Sequence, residues 1–186
     1  MSNLLYEPAE VVVPAAAIAD RMPTLAQEIV QAYGNGAEGI VIVPVMTGAF
    51  VFAADLVRRM PNRLRVDVAT VRSYGSGTVS QGPRIEGVMP SVQGRHVLLV
   101  DDILDSGRTL TFLRQDMLDR GAGSVRTCVL LRKKLPAAMA TRCEFVGFDI
   151  DDLFVAGYGL DYDGWFRNLP DVVSLRKVGE QAPIVR

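Results

Sequence analysis

Short apolar runs bounded by Gly or Pro alternate along this chain with longer amphipathic stretches. Residues 14–33 are Ala-rich and carry Ile18, Met22, Leu25, Ile29 and Val30 at helical spacing, which predicts a helix that Pro23 interrupts. Gly39 to Val45, GIVIVPV, is a β-branched run of strand length and predicts a buried strand. Gly48 to Met60 predicts a helix stopped at Pro61. Leu64, Val66 and Val68 alternate with polar residues, as in a strand covered on one face. His96 to Val100, HVLLV, predicts the central buried strand. A turn and a helix from about Thr109 to Arg120 follow it, with Gly121 as the stop. Ser124 to Leu131 and Glu144 to Ile150 predict two further strands. Residues 73–84, SYGSGTVSQGPR, break every period: three Gly, three Ser and one Pro in twelve residues mark a long mobile loop. Strands alternating with helices predict an α/β domain with a mainly parallel sheet. Ligands of such sheets lie beyond the carboxyl ends of the strands, which directs attention to the segments after Val45, Val100 and Leu131.

Composition narrows the class. The chain has 186 residues, a length that suits one domain, and neither a repeat nor a low-complexity linker divides it. The expectation is a single unit over residues 1–186. With 49% apolar and 22% charged residues it has the make-up of a folded globular protein, not of a disordered chain. Twenty Lys+Arg against 21 Asp+Glu leave a net charge of -1, which argues against a nucleic-acid partner, since little counterion release would drive binding. Cys128, Cys143 and the single His96 are too few for a closed zinc site. Two cysteines without CxxC spacing read as buried structural thiols of a reducing compartment, with His96 also at a buried structural position. The start MSNLLYEP lacks a secretory pattern, and no apolar run reaches the roughly 18 residues of a membrane span. A cytoplasmic protein without a membrane partner is expected.

The sharpest chemical signal is VLLVDDILDSGRTLTFL. An apolar strand delivers two acids, Asp101 and Asp102, to its carboxyl end. Neighbours on a strand point to opposite faces, so the chain is expected to be turning already if both are to face one ligand. Asp105, Ser106, Gly107, Arg108 and Thr109 then lead into a helix, where free backbone N–H groups and the helix dipole favour a phosphate. Acids beside a phosphate cradle suggest a ribose or magnesium as their partner. Ser106, Thr109 and Asp105 also suit plain helix capping, and for any one of them that reading stands beside the other. A receiver domain would carry its acid pair after the first strand, and a P-loop would read Gly-Lys-Ser/Thr where this chain has Gly107-Arg108-Thr109.

This segment resembles the phosphoribosyl-diphosphate (PRPP) signature of the type I phosphoribosyltransferases. SYG at 73–75, LLRKK at 130–134 and EFVGFDIDDLFVAGYGLDYDGWFRNLP at 144–170 narrow the likeness to the hypoxanthine-guanine phosphoribosyltransferases of purine salvage. The likeness runs from about residue 40 to about 175. It implies an α/β fold with a mainly parallel twisted sheet flanked by helices, a core over about 35–140, a small hood from the N- and C-terminal segments, and a flexible lid loop. It further implies transfer of the phosphoribosyl group of PRPP to hypoxanthine or guanine, with release of pyrophosphate, through an oxocarbenium-like state and with Mg2+ as cofactor.

By the same resemblance Asp105, Ser106, Gly107, Arg108 and Thr109 bind the 5′-phosphate, and Asp101 and Asp102 attend the ribose hydroxyls and magnesium. Asp105 is the candidate general base for the purine N7 proton. Lys133 donates to the 6-oxo group, Phe154 stacks on the base and the backbone of Val155 reads its edge. Asp161 sits beside the base and holds a second magnesium. Arg167 grips pyrophosphate with the backbone of Met46, Thr47 and Gly48, through a strained or cis peptide. Ser73 and Tyr74 begin the lid. Two departures stand out: Asp101 where many relatives have Glu, and Thr47 where many have Lys. The partners implied are PRPP, a 6-oxopurine and further copies of the chain in a homodimer or homotetramer. A PRPP- or nucleotide-sensing regulator on the same fold and a xanthine-preferring transferase are the alternatives.

Overall fold

A computed structural model describes residues 5–34, 39–60, 63–73, 83–87 and 89–179. The elements in order are β1 (Tyr6–Val13), α1 (Ala15–Tyr33), β2 (Val41–Met46), α2 (Phe50–Val57), β3 (Arg65–Val66), β4 (Ala69–Ser73), β5 (Pro83–Glu86), β6 (His96–Leu104), α3 (Arg108–Asp119), β7 (Ser124–Lys133), α4 (Pro136–Ala140), β8 (Phe145–Ile150), β9 (Val155–Ala156) and β10 (Val172–Lys177). The main sheet runs β5-β4-β2-β6-β7-β8, with β3 also on β2. All its pairings are parallel except β4 with β5.

Both faces of the sheet are covered, so its central strands read as continuous apolar runs. Ile42, Leu98, Val100 and Leu130 face α1 and α2 through Ile18, Met22, Leu25, Ile29, Phe52 and Leu56. Val41, Val43, Val97, Leu99 and Val129 face α3 through Leu110, Leu113 and Met117. Arg114 fastens α3 to the sheet: its guanidinium donates to Glu144 at 2.6 Å and to the carbonyl of Val125 at 2.7 Å. Burial pushes the Glu144 carboxyl up, but Arg114, the Thr127 amide and Arg142 outweigh it and hold the group below its ordinary value. The middle of α3 is thereby held against β7 and the approach to β8.

A second sheet, β1-β10-β9, is antiparallel and brings the two ends of the chain together. Its register sets Tyr6 opposite Lys177 and Val155 opposite Ser174.

Several elements depart from the sequence expectation. Helix α1 runs through Pro23 without a break. Ile18, Met22, Leu25 and Ile29 are all at most 1% exposed. At about 1.5–3 kcal/mol for each buried side chain, they outweigh the ~3 kcal/mol that an interior proline costs. Of Leu64, Val66 and Val68 only Val66 lies in a strand, the two-residue β3, which pairs with Val41 and Ile42 before β4 takes over on Val45 and Met46. Val66 and Val68 are each half exposed, so neither is covered. The loop expected over 73–84 is strand at both ends, because Ser73 pairs with Pro83 and Arg72 with Arg84. Tyr74 and the rest of 74–82 lie outside the described residues. His96 is exposed, its ring Nδ1 2.8 Å from the Ser124 hydroxyl, whereas Cys128 is fully buried. Among the described residues no helix is long and apolar enough to cross a membrane.

Candidate active site

Strand β6 carries Asp101 and Asp102 on adjacent positions and stays a strand to Leu104. The turn expected at the acid pair comes later, so the pair keeps the alternation of a strand. Asp101 lines a cavity of about 100 Å³ with Ile103, Asp105, Ser106, Gly107 and Thr109. Asp102 lines a second, of about 260 Å³, with Ile103, Asp105, Lys133, Phe154, Val155 and Asp161. Ile103 and Asp105 belong to both, so the two cavities adjoin.

The smaller cavity lies at the N-terminus of α3. Gly107 occupies the N-cap in the left-handed region, φ 74°, and has no side chain with which to cap the helix, while the Ser106 hydroxyl accepts from the Arg108 amide at 3.5 Å. Of the three residues suited to capping, Ser106 alone makes such a contact among the described residues, a long one, and the first turn otherwise opens on the cavity. A Cβ at Gly107 would collide with the Thr141 side chain, so glycine is required there twice over. Arg108 is exposed and does not line the cavity, unlike its neighbours in the turn.

The acid pair is electrostatically loaded. Burial, then the charge of Asp102, holds the Asp101 carboxyl well above the ordinary range. Burial also raises Asp102, against hydrogen bonds from Asp101 and the Ile103 amide and the charge of Arg167. The Asp102 amide donates to Asp101 Oδ1 at 3.0 Å, and the Ile103 amide to Asp102 Oδ1 at 2.7 Å. Gly48, after β2, packs its backbone against the Asp102 carboxylate on one side and Gly159 on the other, with no room for a Cβ at either glycine. The Met46–Thr47 peptide is cis, and Thr47 is exposed.

In the larger cavity Lys133, at the end of β7, lies 2.8 Å from Asp152 and 3.4 Å from Asp105. Burial pulls its ammonium down, but the two carboxylates outweigh that and hold it above its ordinary value. Phe154 is 47% exposed, although an aromatic in FVAGYG would ordinarily be core. Its ring meets those of Tyr6 and Tyr162 edge-on. Asp161 pairs with Arg167 at 2.6 Å and accepts from the Gly164 amide at 2.7 Å, while Arg167 also donates to the Gly159 carbonyl at 2.6 Å.

Three strand ends and the C-terminal hairpins thus bring Met46, Thr47, Gly48, Asp101, Asp102, Asp105, Ser106, Gly107, Thr109, Lys133, Phe154, Val155, Asp161 and Arg167 to one end of the sheet. Ser73 contributes backbone to β4, and Tyr74 is outside the described residues. Asp152 and Tyr6 went unnoticed in the sequence: the first sits within IDDLF without a motif of its own, and the second in a strand with no chemical signature. A larger concavity, about 400 Å³, lies at the other end of β2 around Arg63, Arg65 and Arg95. It is remote from the carboxyl ends where ligands of such sheets bind.

The phosphoribosyl transferase domain family matches residues 11–163. The hypoxanthine-guanine phosphoribosyltransferase of Aquifex aeolicus is 40% identical over 154 residues, 82% of this chain and 86% of that one. The hypoxanthine phosphoribosyltransferase of Escherichia coli K12 is 37% identical over 163 residues, 87% of this chain and 92% of its own. Among solved structures, a Trypanosoma cruzi hypoxanthine phosphoribosyltransferase superposes with a TM-score of 0.84 at 34% identity, covering 91% of this chain and 92% of that one. A Bacillus anthracis hypoxanthine-guanine phosphoribosyltransferase does so with 0.82 at 32%, covering 90% and 99%.

Proposed function

The chain belongs to the phosphoribosyltransferase family, and we propose that it is a purine-salvage enzyme joining the phosphoribosyl group of PRPP to hypoxanthine or guanine and releasing pyrophosphate. The observation that carries this reading is the pair of adjoining cavities. A ligand with its phosphate beside Gly107 and its ring beside Phe154 has its sugar next to Asp105, which with Ile103 lines both.

The start of α3, with glycine at its N-cap, suits the 5′-phosphate: backbone amides and the Ser106 and Thr109 hydroxyls donate, and the helix dipole favours the charge. Lys133 has three donors and directs two at Asp152 and Asp105, which leaves one for a 6-oxo group. Phe154 offers its ring to the base, and Val155 lies at the base's edge. Arg167 turns a guanidinium toward pyrophosphate beside the Met46–Gly48 backbone, where Thr47 brings no charge of its own. As N9 of the base bonds to the anomeric carbon, the bond from that carbon to pyrophosphate breaks and the N7 proton passes to the Asp105 carboxylate. The carboxylates flanking the sugar stabilise the positive charge that develops on it.

Magnesium fits the acid pair. The two adjacent carboxylates, both pushed up by burial and Asp101 also by the charge of Asp102, are relieved by a divalent cation where the two cavities adjoin. Magnesium binds through one or two carboxylates together with phosphate oxygens and water. When bound it neutralises charge on the pyrophosphate group. Asp161 suits a second ion less well, since Arg167 and the Gly164 amide already engage its carboxylate.

The test is product formation from PRPP, Mg2+ and each of hypoxanthine, guanine and xanthine, followed by release of pyrophosphate. Hypoxanthine or guanine is expected to give the nucleotide, and Asp105→Asn to lower kcat about 10²–10⁴-fold. Folded protein that forms no nucleotide from any of the three would overturn the proposal.

A further inference from the structure

Three aromatic rings from three separate segments meet at Phe154, the one of them that lines the larger cavity. The Phe154 and Tyr6 centroids lie 5.2 Å apart at 86°. Phe154 and Tyr162 lie 5.7 Å apart at 86°, and Tyr6 and Tyr162 5.1 Å apart at 70°. All three are edge-to-face contacts within the favourable range.

Phe154 precedes a two-residue strand and is half exposed, so the main core does little to fix its ring. Its backbone is pinned, because its carbonyl accepts from the Leu175 amide at 2.8 Å. The ring is steered by the two tyrosines at its sides. Strand β10 holds the segment of Phe154 on one edge and β1, with Tyr6, on the other. The antiparallel sheet therefore sets the spacing between Tyr6 and Phe154. What Tyr6 contributes is an aromatic edge, which phenylalanine supplies equally well.

We propose that Tyr6 is a positioning residue, whose ring, with that of Tyr162, holds Phe154 in the orientation that stacks on the purine. The N-terminal strand thereby tunes affinity for the base while leaving PRPP binding to the turn at Gly107. This inference rests on the larger cavity being the purine site.

The experiment is steady-state kinetics of the full chain with hypoxanthine and PRPP varied in turn. Tyr6→Leu keeps apolar volume in β1 but removes the aromatic edge. It is expected to raise KM for hypoxanthine about three- to tenfold, with KM for PRPP changed less than about twofold. Tyr6→Phe restores the wild-type value. In a Phe154→Leu background, Tyr6→Leu adds little, because the ring it steers is gone. Should Tyr6→Leu not fold, Tyr162→Leu carries the same expectation. An unchanged KM for hypoxanthine, an equal rise for PRPP, or an undiminished effect in the Phe154→Leu background would overturn the inference. Wild-type protein inactive with every 6-oxopurine would instead remove the functional reading on which it rests.

Discussion

Asp101 is 7% exposed and lies beside a second, partly buried acid, an arrangement that costs the folded protein stability whenever the pair is ionised. Its pKa is raised on folding, so the folded state keeps a proton over a pH window in which the unfolded chain has already lost it. Stability due to this group is therefore highest at low pH and falls as pH rises from the unfolded value, near 3.8, through the folded one. Asp101→Asn keeps the oxygen that accepts from the Asp102 amide but removes the charge. In metal-free protein at pH 8 it is expected to raise Tm by about 3–6 °C, with the two melting curves converging below about pH 4, while turnover falls. A lower Tm at pH 8 in thermal denaturation would contradict the electrostatic account. At this scale the sequence showed which residue types cluster, because DDILDSGRT lies on one stretch of chain. It could not show that Asp101 and Asp102 serve different cavities, since that depends on β6 remaining extended to Leu104.

The β6–turn–α3 unit is the element on which the proposed phosphate binding depends. Gly107 there combines a left-handed φ of 74° with the close approach of Thr141. Gly107→Ala is expected to strain the turn by about 1 kcal/mol or more and to push Thr141 or the turn out of place. KM for PRPP should rise at least about tenfold, since one charge-assisted hydrogen bond is worth roughly that much. KM for the base should change less, and kinetics with each substrate varied separately checks this. Elements of this kind were legible because Gly and Ser punctuate an apolar run. The run of α1 through Pro23 was not, since local propensity says nothing of four side chains buried against a distant sheet. Nor was the division at Val66 and Val68, where alternation gave the period of a strand but not what would cover it.

Across the whole molecule, the parallel sheet and the position of the site at its carboxyl end followed from the order of apolar runs. The antiparallel β1-β10-β9 sheet did not follow from periodicity, and the family likeness implied only a hood from the N- and C-terminal segments. Its partners join opposite ends of the chain, as where the Glu10 amide donates to the Ser174 hydroxyl at 3.1 Å. No local pattern encodes that pairing, and Tyr6 stayed unnoticed with it. The account turns on the two cavities forming one nucleotide site, and a crystal structure of the protein with IMP tests this most directly. It should show the phosphate within hydrogen-bonding distance of the Gly107 and Thr109 amides, the purine ring against Phe154, and its 6-oxo group at Lys133. A phosphate bound away from the start of α3, or a base outside the cavity that Phe154 lines, would contradict it.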